Sequence, residues 1–154
     1  MEPSCLNYTE RTATQADYIF LFQLKKKTEY DVIEQVFGWY DHIQQDIHAK
    51  EWQEGKPTVI EIDGVRAGSY WLNEESDHFY LGRFYILPEF QNKGLGSRIL
   101  KQCIAIANGK KKPIKLCYLV NNKVGALYRR YGFQEVSKDQ HFFYMTYVSH
   151  CDSK

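Results

Sequence analysis

The chain has 154 residues, of which 44% are hydrophobic and 25% charged, with four prolines; a domain of this length buries roughly 68–70% of its unfolded surface and needs no metal or disulfide staple. That composition excludes wholesale disorder. Lysine and arginine number 20 against 19 acidic residues, a net charge of +1, so no global field draws the protein to nucleic acid or a membrane surface.

Leu6 to Thr9 read as a short first strand. Thr14 then stands as a helix N-cap with Asp17 three residues on, an imperfect capping box before Ala16, Ile19, Phe20 and Leu24. The lysines at 25, 26 and 27 carry the charge that suits the end of such a helix. Ile33, Val36, Phe37, Tyr40, Ile43 and Ile47 recur at helical steps and predict a second helix, with Gly38 as a break. Past Gly55 and Pro57 the period becomes extended: Thr58 to Ile62, the hairpin signal Asp63-Gly64, a return over Val65 to Leu72, and a third strand from His78 to Leu87. Pro88 ends that strand. A helix is expected from Gly94 to Ala107, stopped by Asn108-Gly109, then a strand from Ile114 to Val120 and a short helix from Asn122 to Tyr131. Phe133 to Val136 and His141 to Val148 close the chain as strands. The order β-α-α-β-β-β-α-β-α-β-β describes a mixed α/β domain, read as a single domain over 1–154.

The first residues lack the basic start and apolar stretch of a signal peptide, and no window approaches the ~20 apolar residues of a membrane span. Cys5, Cys103, Cys117 and Cys151 form no C-x-x-C pair, which argues against zinc and against a secreted disulfide framework. A cytoplasmic protein with free thiols, two of them in the core, is the expectation.

The segment from Tyr85 to Arg98 carries the chemistry. A strand runs through Pro88 into a loop with Gly94 and Gly96, and a helix opens behind it. Glycines allow close approach to a ligand, amides at a helix start point outward, and the helix dipole favours an anion such as a pyrophosphate. A Walker A loop would need a lysine and hydroxyl that are absent here. A dinucleotide fingerprint would need a glycine at Ile99 and an acid about 20 residues on, where Lys115 to Asn121 hold none. A plain glycine turn before a helix is the bland alternative for the loop taken by itself.

About 25 residues later stands a second block, Asn121 to Phe133. Together the two resemble the GCN5-related N-acetyltransferases (GNAT). Their coenzyme A loop, Q/R-x-x-G-x-G/A, is matched by Gln91, Gly94 and Gly96; their N-(x)6-Y block ending in G-F is matched by Asn121, Tyr128, Gly132 and Phe133. The resemblance implies the GNAT-type acyl-coenzyme A N-acyltransferase fold over the whole chain. It implies acetyl-coenzyme A as co-substrate, no metal, and an acetyl group passed directly to a primary amine. The pyrophosphate would lie on the amides of Asn92, Lys93, Gly94, Leu95, Gly96 and Ser97, behind Gln91. The pantetheine arm would pair with backbone at Phe84, Tyr85 and Ile86, the Ile86 amide meeting the thioester oxygen. Asn121 would contact the arm or place the next helix, and Tyr128 would act as general acid toward the leaving thiolate. Lys93, Arg98 and the lysines at 110–112 are candidates for phosphate charges, a solvated turn being the bland reading of the last three.

Some relatives carry a glutamate base five residues before the asparagine, where Leu116 stands here. Glu34, His78, Tyr80 and His141 are the candidates to replace it. Glu34 lies in a segment resembling E-Q-x-W-G-W-D, found in uncharacterised bacterial acetyltransferase-like proteins, with Phe37 in place of Trp and Asp41 displaced by Tyr40. Trp39, Trp52, Trp71, Tyr80 and Phe142 are candidates to line an acceptor pocket or to fill the core. A small-molecule amine is the expected acceptor; a protein or peptide acceptor, and a non-catalytic acyl-coenzyme A sensor, are the alternatives. Nucleic acid and membrane are not expected partners, and relatives are often homodimers.

Overall fold

The computed structural model describes residues 7–149. They form strands β1 (Tyr8–Thr12), β2 (Thr58–Ile62), β3 (Val65–Glu74), β4 (Phe79–Ile86), β5 (Ile114–Leu119), β6 (Gln134–Lys138) and β7 (Phe142–Tyr147). The helices are α1 (Tyr18–Phe37), α2 (Asp41–Glu54), α3 (Leu95–Lys110) and α4 (Gly125–Arg130), with 3-10 turns at Gln15–Asp17 and Pro88–Phe90. The element order is the expected one. The strands lie in one sheet in the order β1-β2-β3-β4-β5-β7-β6. β4 and β5 run parallel, whereas β1 with β2, β2 with β3, β5 with β7 and β6 with β7 run antiparallel. This is a mixed α/β fold.

Several boundaries differ from the sequence reading, for local reasons. The first strand extends to Thr12, and Leu6 lies outside the described residues. The lysines at 25–27 do not end α1, because lysine is a good helix former; the helix runs on to Gly38, whose N–H still bonds the Glu34 carbonyl at 3.0 Å and whose φ of 80° then turns the chain out of the helix. Likewise α3 passes through Asn108-Gly109 to Lys110. Lys111 takes the left-handed position there, at φ 59°. Bonds from Lys112 N–H to Ala107 O (3.0 Å) and from Lys111 N–H to Asn108 O (3.1 Å) make a Schellman stop. The hairpin signal is realised as read, with Asp63 at φ 51° and Gly64 at 77°.

The chain divides into two compact units, one comprising the residues up to Trp71 with Arg83–Gly94, the other Leu72–Gly82 with the residues from Leu95 onward. In the first, Leu21 and Leu24 of α1, Trp52 of α2, Val59 of β2 and Leu87 build the core. Its polar centre is Asp17, 1% exposed. Arg11 holds the carboxylate with two bonds of 2.7 and 2.9 Å, Arg66 adds one of 3.1 Å, and the Thr14 N–H donates at 2.8 Å, completing half of the capping box. Arg11 also reaches Glu61 at 2.9 Å, so one cluster ties β1, β2, β3 and the turn before α1 together. In the second unit, α3 buries Leu95, Ile99, Leu100, Cys103 and Ala107 on one face. Facing pairs Ile114↔Tyr147 and Leu116↔Met145 fill the β5–β7 ladder. Cys103 is buried, whereas Cys117 is half-buried; Cys5 and Cys151 lie outside the described residues. Among the described residues no helix is long and apolar enough to cross a membrane.

Hydrogen bonding by Arg11, ahead of the opposing effect of burial, holds the Asp17 carboxyl far below the usual carboxylate range. Its contribution to stability is therefore complete above the unfolded value of about 3.9 and is lost as pH falls through the depressed native value. Asp17→Asn, which strands the two arginines, is expected to cost about 2–3 kcal/mol in urea unfolding at neutral pH. The variant should also lose less stability than the wild type between about pH 4 and about pH 2.

Candidate active site

β4 pairs with β5 through Phe79↔Ile114 and Tyr80↔Lys115. Phe79 and Leu81 are buried in alternation, but the alternation ends at Arg83, which sits at φ 48°. A non-glycine residue in this region carries backbone strain of about 1–2 kcal/mol, so the surroundings must enforce it. The Ser69 hydroxyl, 1% exposed, donates to the Arg83 carbonyl at 2.8 Å. The Arg83 guanidinium donates to Gly55 O at 3.0 Å and lies 4.6 Å over the Trp71 ring. Beyond this kink run Phe84, Tyr85 and Ile86. Gly68 of β3 backs them so closely that a side chain there would strike the Tyr85 carbonyl, and Leu87 N–H bonds Ala67 O at 2.8 Å.

The loop that follows is tied to the strand by its own glutamine: the Gln91 side-chain amide donates to Ile86 O at 2.8 Å. Asn92 (φ 61°) and Gly94 (φ 85°) are both left-handed, and Gln91, Asn92, Lys93 and Gly94 are exposed. Leu95, 1% exposed, anchors the start of α3, with Gly96 and Ser97 in its first turn. A helix start presents amides without intrahelical partners at the positive end of the dipole, so these residues suit an anionic group. Lys93 and Arg98 are exposed beside it in sequence. The Ser97 hydroxyl bonds Tyr131 and lowers that phenol's pKa. Lys110 and Lys112 are otherwise engaged: both pair with Glu74, at 3.6 and 2.8 Å.

In the second unit Tyr128, 7% exposed, packs its ring on Tyr118 (5.9 Å) and Phe133 (5.6 Å). Asn121 lies in the turn between β5 and α4, where its neighbour Asn122 accepts the Val124 N–H at 3.0 Å and sets the helix start. Sequence reasoning missed Tyr118, whose hydroxyl accepts from Arg129 at 3.3 Å and fills the space that a side chain at Gly125 would need. The alternation of Leu116 and Tyr118 on the buried face of β5 was the available signal. Of the other base candidates, the His78 ring bonds Asp77 at 2.7 Å, the Tyr80 hydroxyl is 3.5 Å from Cys117 Sγ, and the backbone N–H of His141 donates to Asp139 at 2.9 Å.

The first unit contains a small, shallow cleft that opens to solvent. Leu21 and Lys25 of α1 and His48, Glu51 and Trp52 of α2 form one wall; Ser69, Arg83 and Tyr85 form the other. His48, 7% exposed, donates its Nε2–H to the Tyr18 carbonyl at 2.9 Å, and burial lowers its pKa, favouring the neutral ring. Burial also lowers the pKa of Lys25 and of Arg83. Glu34 is exposed near the end of α1 and does not line this cleft; Glu51 does. The segment around Glu34 builds the α1–α2 corner instead. There the Trp39 indole donates to Asp41 at 2.7 Å and its ring packs 5.2 Å from Tyr30, while Lys26 pairs with Asp41 at 3.0 Å. Of the expected pocket aromatics, Trp52 lines the cleft and Trp71 supports Arg83.

A family model described as "Acetyltransferase (GNAT) domain" matches residues 53–135. The chain belongs to the GNAT acetyltransferases. The matched span reaches from the end of α2 into β6 and contains the glycine loop and Tyr128. Among solved structures, this GNAT chain resembles the PaiA N-acetyltransferase of Thermoplasma acidophilum in complex with coenzyme A, at 16% identity and TM-score 0.71, over 93% of this chain and 99% of that one. It resembles the ribosomal-protein-S18-alanine N-acetyltransferase of Escherichia coli at 16% identity and TM-score 0.70, over 94% and 96% of the two chains. N-acetylglutamate synthase from Neisseria gonorrhoeae, complexed with coenzyme A and L-arginine, aligns at 18% identity and TM-score 0.64, over 95% of this chain and 34% of that one. These likenesses are of fold. No curated protein matches the GNAT chain in sequence.

Ser69→Ala removes the one side-chain bond seen on the Arg83 carbonyl. It is expected to lower stability by about 1–2 kcal/mol in chemical denaturation, with a change in tryptophan emission as the Arg83–Trp71 stack loosens.

Proposed function

We propose that the chain, acting as one catalytic domain, transfers an acetyl group from acetyl-coenzyme A to the primary amine of a small molecule. The observation that carries this reading is the left-handed pair Asn92 and Gly94, exposed between β4 and the amide-rich start of α3. The amides of Asn92, Lys93, Gly94, Leu95, Gly96 and Ser97 are assigned to the coenzyme's pyrophosphate, with Gln91 bracing the loop. The backbone of Phe84, Tyr85 and Ile86 is assigned to the pantetheine arm, and Asn121 to its placement.

An alkyl ammonium of pKa near ~10 must lose its proton before it can attack. That proton leaves through water to a carboxylate; of the two candidates Glu51 lines the cleft and Glu34 does not. The neutral amine adds to the thioester carbon, and the Ile86 amide receives the developing oxyanion, an interaction typically of about 2.7–4 kcal/mol. The tetrahedral centre then expels the thiolate, which takes a proton from Tyr128; the nitrogen, cationic since its attack, gives up its surplus proton through water, and that proton restores the neutral phenol, leaving amide and free thiol. The charged and apolar side chains that line the open cleft beside Tyr85 suit a small polar amine.

Titration with acetyl-coenzyme A, followed by thiol detection over a panel of amines, tests the reading; failure to bind the coenzyme would sink it. Tyr128→Phe is expected to lower turnover about 100-fold or more while leaving coenzyme affinity within about twofold, measured by stopped assay and calorimetry. Gly94→Val, which places a β-branched residue at φ 85°, is expected to weaken coenzyme binding about tenfold or more.

A further inference from the structure

We propose that the cleft of the first unit is an acceptor site for an amine that bears a carboxylate, held by Lys25 and Arg83 with Glu51 facing its amino group. The proposal rests on the acetyl-transfer reading and specifies the acceptor class.

Three charged side chains line this one cleft, and among the described residues none of them forms an ion pair with another. Among the described residues no hydrogen bond is seen from the half-buried Lys25 ammonium. Arg83 spends one of its five N–H donors on Gly55 O and stacks its face on Trp71. Among the described residues no second hydrogen bond is seen from that fork, and the kinked backbone fixes its origin. The two cations repel each other; Glu51 attracts both, Glu29 attracts Lys25 and Glu54 attracts Arg83, and neither cation closes an ion pair with them among the described residues. Elsewhere in the same unit the protein shows how it neutralises clustered arginines: Arg11 and Arg66 both close on Asp17. Lys25 and Arg83 receive no such closure. A carboxylate is the complementary group, and a guanidinium fork with an ammonium binds it by charge-assisted hydrogen bonds.

The sign of the third charge selects an amino acid over a simple anion. Glu51 attracts the ammonium group of an arriving acceptor. Leu21 and Trp52 offer apolar wall to the carbon skeleton between the two charged ends. Tyr85, whose backbone is assigned to the pantetheine arm, lines the same cleft, so an amine held here lies beside the strand that carries the thioester in the proposed reaction.

The experiment is calorimetric titration of the full chain, saturated with coenzyme A, by the common α-amino acids and β-alanine, each against its carboxamide. At least one acid should bind about tenfold or more tighter than its amide. Lys25→Met should abolish that preference while Lys25→Arg retains much of it, with coenzyme affinity unchanged in both and an unfolding midpoint no lower than that of the wild type. Equal affinity for acids and amides, or no binding by any acid, overturns the proposal. A loss of coenzyme affinity in Lys25→Met also overturns it, by assigning the cations to the coenzyme's phosphates. If coenzyme A itself does not bind, the acetyl-transfer reading fails; the same acid–amide comparison without coenzyme still decides whether the cleft is a carboxylate site.

Discussion

The left-handed backbone of Arg83 is the constraint on which the candidate site depends. A strand that kept its alternation past Leu81 would present its remaining residues in strict turn to opposite faces. The kink at φ 48° breaks that alternation, and Phe84, Tyr85 and Ile86 run on from a new starting direction. Strain of this kind persists only where the surroundings over-determine it. Here Ser69 grips the carbonyl, Gly55 accepts from the guanidinium, Trp71 carries its face, and Gly68 gives the following carbonyl room. The same residue that bends the strand also supplies a cation to the cleft.

Charge is handled in two ways within the first unit. Around Asp17 it is closed on itself: two arginines, a buried carboxylate and a backbone amide satisfy one another, and the cluster joins three strands and a turn. Around the cleft it is left open, with Lys25, Arg83 and Glu51 held on three elements and unpaired with each other. Burial without pairing disfavours the charged forms, which makes the open set costly for stability and useful for recognition. Such a cost is tolerable in a domain whose core and Asp17 cluster are satisfied.

Much of the fold was legible because its signals are local. Asp63-Gly64 specifies its turn by backbone preference, and the 3.6-residue pattern of Leu95, Ile99, Cys103 and Ala107 specifies a buried helix face. The glycine loop was legible for the same reason. Helix ends were less so. Three lysines look like a helix terminus, yet they occupy the middle of α1 and meet three different environments: Lys25 lines the cleft, Lys26 pairs with Asp41, and Lys27 is exposed. No linear pattern distinguishes them, since the difference lies in what packs against each face. Glu34 illustrates the converse. Its motif is distinctive, but the structure shows that motif building a helix corner, while Glu51, in an unremarked polar stretch of α2, reaches the cleft. Arg83 has no sequence signature at all, because a left-handed arginine is dictated by its neighbours in space.

The two compact units are not two stretches of chain. The polypeptide leaves the first unit after Trp71, re-enters it at Arg83, and leaves again after Gly94, so the re-entry point is the kinked residue itself. A fragment ending at Trp71 would lack β4's second half, and with it Arg83, Tyr85 and Leu87. A fragment starting at Leu95 would lack the strand segment Phe79–Gly82 that pairs with β5. Neither unit can be made by simple truncation, and each closes a short loop drawn from the other when it forms, Leu72–Gly82 in one case and Arg83–Gly94 in the other, at the entropic cost such closures carry. No single cut along the chain separates the two units, because their segments alternate in sequence.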